Sequence, residues 1–124
     1  MRVLLVDDEE QLVSTLAERL ALRGIDARWT TSSLSALELV KTEIFDIAIL
    51  DVKIPKISGL ELKKRLQKLH PEMKFIFLTG HGSEEDFRIG AAEAGADFYL
   101  VKPVQIESLL EKMHEAIQRQ GENK

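Results

Sequence analysis

Asp7, Asp8, Asp51, Thr79 and Lys102 are spread over most of the chain, yet each ends a short apolar run or follows one closely. Such runs read as β-strands, and parallel strands bring the residues at their C-terminal ends to one edge of a sheet. Three carboxylates, a hydroxyl and an ammonium would then share that edge. The set suits magnesium-assisted phosphoryl transfer onto an aspartate. A divalent ion offsets the negative charge of acid and phosphoryl group, one carboxylate attacks phosphorus in line, and the hydroxyl and ammonium hold phosphoryl oxygens.

Asp51 closes the run Ile47-Ala48-Ile49-Leu50 and leads into a Pro55 loop that reaches Ser58-Gly59; a carboxylate placed there can attack phosphorus in line. Asp7 and Asp8 follow the first run. Like charges at this spacing raise one another's pKa unless a cation joins them. Magnesium is the natural cation, since it needs only one or two carboxylates and keeps other oxygens as its remaining ligands. Calcium suits the chain less, because no dense carboxylate loop is present. A plainer reading has Asp7-Asp8 capping the first helix, Thr79 serving as a turn residue before Gly80, and Lys102 as a solvated charge. Against the last, Lys102 lies between an apolar strand and Pro103, which restricts its backbone and makes Lys102-Pro103 a candidate cis bond.

The elements that must place these groups are legible in the hydropathy pattern. Val3-Leu4-Leu5-Val6, Ile47-Ala48-Ile49-Leu50 and Phe75-Ile76-Phe77-Leu78 are continuously apolar, as strands covered on both faces should be. Ile25-Asp26-Ala27-Arg28-Trp29 alternates and is expected at one edge of the sheet; Phe98-Tyr99-Leu100-Val101 is expected at the other. Apolar stripes at helical spacing run through Leu12, Val13, Leu16, Ala17 and Leu20, through Leu62, Leu66 and Leu69, and through Ile106, Leu109, Leu110, Met113 and Ile117. A helix over about Ser33 to Lys41 starts from a Thr-Ser-Ser cluster. Ser83-Glu84-Glu85-Asp86 opens a further helix, which Gly90 and a run of alanines leave poorly anchored. Five strand-helix units with right-handed crossovers predict an α/β fold, a doubly wound parallel sheet in the order 2-1-3-4-5, with strands 1 and 3 flanking the switch point.

With 124 residues the chain is expected to form one domain, over residues 1–119, with 120–124 as a fraying tail. A net charge of −4 offers no basic surface for nucleic acid. The lack of cysteine excludes disulfides and thiolate chemistry and fits a cytoplasmic setting. No stretch has the length of a membrane span.

Taken together, Leu5-Val6-Asp7-Asp8-Glu9, Leu50-Asp51-Val52-Lys53-Ile54-Pro55 with Ser58-Gly59, Leu78-Thr79-Gly80, and Ala94-Gly95-Ala96-Asp97 through Lys102-Pro103 resemble the receiver domains of bacterial two-component response regulators. The resemblance covers essentially the whole chain. It implies a flavodoxin-like three-layer (βα)5 sandwich with Asp51 as phosphoacceptor. It further implies Mg2+ held by Asp8, Asp51 and the Lys53 main-chain carbonyl with Asp7 in support, and Thr79 and Lys102 as the pair that engages the phosphoryl group. Tyr99 falls at the family's rotating aromatic. On phosphorylation Thr79 would move toward the phosphoryl oxygens and Tyr99 would turn inward, repacking the face made by the Ser83 helix, the last strand and the C-terminal helix. Lys53 and His81 stand at variable positions that would tune phosphoryl lifetime; the plainer view of His81 is an exposed loop residue between two glycines.

The partners implied are a sensor histidine kinase or phosphotransfer protein upstream and a protein or fused output domain downstream. A phosphorylation-dependent dimer is also implied, although Phe98 and Lys102-Pro103-Val104 depart from the pattern of OmpR-like regulators. Three other readings compete. A phosphatase of the haloacid dehalogenase type needs a second Asp where this chain has Lys53. A mononucleotide binder wants a phosphate loop where it has Asp7 and Asp8. A phosphorylation-independent scaffold would not need the intact acids, Thr79 and Lys102.

Overall fold

The structure, a computed structural model, describes residues 1–80 and 98–122. In chain order the elements are β1 (Arg2–Val6), α1 (Glu10–Ala21), β2 (Asp26–Thr30), α2 (Ser33–Leu39), β3 (Ile47–Asp51), α3 (Gly59–Leu69), β4 (Lys74–Thr79), β5 (Tyr99–Val101) and α4 (Ile106–Glu122). The strands form one parallel sheet in the order β2-β1-β3-β4-β5, as their hydropathy predicts. The helix expected from Ser83, and His81 before it, lie outside the described residues.

The continuous apolar runs are explained by two cores, one on each face of the sheet. Leu4, Val6, Ala48, Leu50, Phe75 and Phe77 meet Ala36, Leu62 and Leu66 on one face. Their sequence neighbours Val3, Leu5, Ile47, Ile49, Ile76 and Leu78 meet Leu16, Leu20, Leu109 and Met113 on the other. Successive side chains of a strand point to opposite faces, so a strand buried on both has no polar alternate. Each fully buried Leu or Ile contributes about 1.5–3 kcal/mol, and these layers hold the strand ends in place. β2 lies at the edge and is largely exposed, with Trp29 39% accessible.

Local chemistry sets the element ends. Ser32 caps α2 by accepting the Ser35 N–H at 3.1 Å, and Ser58 caps α3 by accepting the Glu61 N–H at 3.2 Å. α2 stops at Leu39, short of the expected Lys41, because the bonds Lys41 N–H to Glu38 O and Thr42 N–H to Leu39 O tighten the chain into a turn. The stripe expected of α3 is only partly buried. Leu69 is 55% accessible: it overhangs the lower rim beside Ile44 and Pro71, before β3 and β4 begin.

Strand register then levels the upper rim. Val6 lies opposite Leu50 and Asp51 opposite Leu78, while Thr79 lies opposite Val101. Asp7, Asp51, Thr79 and Lys102 therefore leave the sheet along one edge.

Candidate functional site

Asp7, Asp8 and Asp51 each bring one carboxylate oxygen to a common point, all within 4.8 Å of one another. Asp7 is fully buried, Asp51 is 5% accessible, and Asp8 faces solvent. Asp7 Oδ1 accepts the Glu9 N–H at 2.9 Å, which folds the chain sharply between β1 and α1. Past Asp51, the Val52 N–H continues the ladder to the Leu78 carbonyl at 3.0 Å, and the Lys53 N–H donates to the Asp51 carboxylate.

Gly59 closes the loop that follows. A Cβ there would stand 2.2 Å from the Asp51 carbonyl oxygen, inside any allowed contact. The start of α3 is thus pressed against the backbone of Asp51, and the Gly59 N–H donates to the Val52 carbonyl at 2.9 Å.

Lys102 reaches the acids from the far side. Its Nζ lies 2.8 Å from Asp7 Oδ2, 2.8 Å from Glu9 Oε1 and 3.7 Å from Asp51 Oδ1. The Lys102-Pro103 peptide is cis. Thr79 is buried on the adjoining strand end, and its Oγ1 has no hydrogen-bond partner among the described residues.

The charges are unevenly matched. Burial pushes the Asp51 carboxyl above its ordinary value, the Lys102 ammonium and the Lys53 N–H oppose the shift, and Asp8 and Glu9 add to it. Asp7 is also raised, again by burial, with Lys102 and the Glu9 N–H opposing and Asp51 reinforcing. Burial alone would lower Lys102, but its bonds to Asp7 and Glu9 and the charge of Asp51 raise it overall. One ammonium faces four acids among the described residues, so the carboxylate set fits a further hard cation with oxygen preference. The unpartnered Thr79 hydroxyl likewise fits an incoming oxygen acceptor.

A model of the response regulator receiver domain matches residues 3–114. The chain belongs to this family. Response regulator MprA of Mycobacterium avium is 31% identical over 119 residues, which are 96% of this chain and 52% of that protein. The chain thus spans about half the length of the curated relatives it matches. The CheY-like receiver domain protein of Methanospirillum hungatei is 33% identical, with a TM-score of 0.88 over 99% of this chain and 98% of that one. A response regulator of Burkholderia pseudomallei, solved with a phosphorylated aspartic acid, a calcium ion and citrate, is 34% identical. Its TM-score is 0.83 over 98% of this chain and 72% of that one. Phosphorelay signalling is accordingly the function of this receiver, and neither a phosphatase nor a mononucleotide binder is favoured.

Two further candidates, Lys53 and Tyr99, lie among the described residues near this rim. Lys53 is exposed beside Asp51. Tyr99 is half-buried lower on β5, level with Phe77, and packs against the core that holds Leu50. Glu9 was not singled out by sequence, since its contact with Lys102 spans 93 positions and no local pattern announces it. The close approach of Gly59 is equally silent in sequence, although a glycine directly after a capping Ser at a helix start marks the place. No helix among the described residues is long and apolar enough to cross a membrane.

Proposed function

We infer that Asp51 is the phosphoacceptor of this receiver. The observation that carries the reading is the position of its carboxylate: level with the acids of β1, 3.7 Å from the Lys102 ammonium, and on the rim where the Thr79 hydroxyl is buried without a partner. An Asp51 oxygen forms a bond to phosphorus as the bond to the donor nitrogen or oxygen breaks, and the product is an acyl phosphate.

Asp8 and Asp51, with the Lys53 main-chain carbonyl and Asp7 in support, would hold Mg2+. Bound there, the ion offsets charge on carboxylate and phosphoryl oxygens. Lys102 and Thr79 bind phosphoryl oxygens directly, Lys102 by charge and Thr79 through its free hydroxyl. Thr79 moving toward the phosphoryl group releases space for Tyr99, one strand over, and repacks the face formed by β5 and α4. Lys53 and His81 set the lifetime of the acyl phosphate by controlling water. The chain catalyses its own phosphorylation and dephosphorylation only. The donor is a sensor histidine kinase or phosphotransfer protein in the cytoplasm. The recipient of the signal is a downstream protein, a fused output domain or a second phosphorylated copy. The receiver domain itself covers residues 1–119.

The test is direct. Incubated with acetyl phosphate and magnesium, the wild-type chain takes up one acid-labile, hydroxylamine-sensitive phosphate, and Asp51→Asn takes up none. Equal labelling of Asp51→Asn removes the assignment.

A further inference from the structure

We propose that Glu9 is a positioning residue that restrains Lys102 in the resting receiver, and that engaging the phosphoryl group draws Lys102 away from it. The inference rests on Asp51 being the acceptor.

Glu9 stands at the N-cap of α1 with extended backbone (φ −83°, ψ 92°), yet its side chain makes no capping bond to that helix. Its carboxylate instead meets Lys102 at 2.8 Å. Packing does not force this contact, because the Glu9 side chain is 61% accessible while that of Lys102 is 17% accessible.

An ammonium has three N–H donors. In the resting arrangement Asp7 and Glu9 take the two short contacts, and Asp51 is left at 3.7 Å, beyond hydrogen-bond reach. Turning the third N–H onto an oxygen of phosphorylated Asp51 draws Lys102 toward Asp51 and stretches the two contacts it already makes. Asp7 is fully buried and anchored by the Glu9 N–H, so it stays where it is. Glu9, exposed and with no other side-chain partner among the described residues, is the contact that yields. Glu9 and the phosphoryl group therefore compete for one ammonium, and the identity of residue 9 sets how readily the receiver is phosphorylated.

Two substitutions separate contact from charge. Glu9→Gln removes the charge at the same length. Glu9→Asp keeps the charge and withdraws it by one methylene, out of reach of Lys102. The readout is the initial rate of phosphorylation by acetyl phosphate at saturating magnesium, followed by phosphate-affinity electrophoresis, with Asp51→Asn as the blank. An exposed ion pair of this kind corresponds to roughly a two- to fivefold effect. Both variants are expected to be faster than wild type by about that factor. Acceleration in Glu9→Gln alone would mean that Glu9 merely repels the anionic donor, and would overturn the proposal; so would unchanged rates in both. A wild-type chain that labels no better than Asp51→Asn overturns the assignment of the acceptor instead.

Discussion

Lys102 donates its backbone N–H to the carbonyl of Thr79 at 2.8 Å, so the ammonium and the hydroxyl proposed to hold the phosphoryl group are joined through the last rung of the β4–β5 ladder. A movement of either strand end is felt by the other residue.

Thr79 should show a trade of stability against function. A buried hydroxyl without a partner costs about 1–3 kcal/mol, and the Thr79 Oγ1 is one. Thr79→Val keeps the shape and the β-branching that a strand favours. Thermal unfolding without phosphodonor should show Thr79→Val more stable by about 1 kcal/mol. Its phosphorylation rate should fall roughly tenfold or more through loss of one oxygen-holding donor. A variant that is both less stable and fully active would contradict the orphaned hydroxyl.

Gly59→Ala should damage the site from outside it. The added methyl would stand 2.2 Å from the carbonyl oxygen of Asp51 and 2.9 Å from the Val52 Cα, both backbone atoms that cannot swing aside. Either α3 or the end of β3 must move, a form of overpacking that costs about 1–3 kcal/mol. Urea titration should show that loss, and phosphorylation of the folded fraction should drop because the Asp51 carboxylate is displaced. Wild-type stability in Gly59→Ala would mean that the loop is looser than the structure shows.

The sheet was legible because burial on both faces leaves a signature no surface strand can carry: Val3–Val6, Ile47–Leu50 and Phe75–Leu78 contain no polar residue, and they are the three central strands. The charged members of the site were legible because each follows such a run. Partnership was not. Whether Lys102 spends its donors on Asp51 or on Asp7 and Glu9 depends on ångström-scale geometry between distant segments. Leu69 shows the same limit in the core. Its spacing matches a buried stripe, but spacing does not say where the sheet ends beneath a helix.

Stability should depend on pH through Asp7 and Asp51. Both carboxyls are raised above the ordinary 3.8, chiefly by burial. Between the unfolded and folded values the native state binds more protons than the unfolded chain, so stability falls as pH rises through that window. Above it the cost is fully present. Lys102 is raised as well, so its own titration contributes nothing to the change below 10.5. Asp51→Asn deletes one of the two buried charges and leaves Lys102 its contacts with Asp7 and Glu9. At neutral pH the variant should be more stable by roughly 1 kcal/mol, a few degrees in Tm, and the gap should close as pH falls through the window. A gap that widens in acid would reverse the sign.

Magnesium should stabilise the chain in proportion to how well the acids hold it. A ligand that binds only the native state adds about 2.7 kcal/mol at one hundred times its Kd. Titrating magnesium into metal-free protein should therefore raise Tm, and EDTA should restore the starting value. The gain should be lost on Asp8→Asn, which removes the exposed carboxylate without disturbing the core. It should also weaken in acid, because Asp7 and Asp51 take up protons sooner than ordinary carboxyls and a protonated acid is a poor ligand. Sodium chloride at matched ionic strength separates site binding from screening. A Tm rise that survives in Asp8→Asn, or that salt reproduces, would place the ion elsewhere than between β1 and β3.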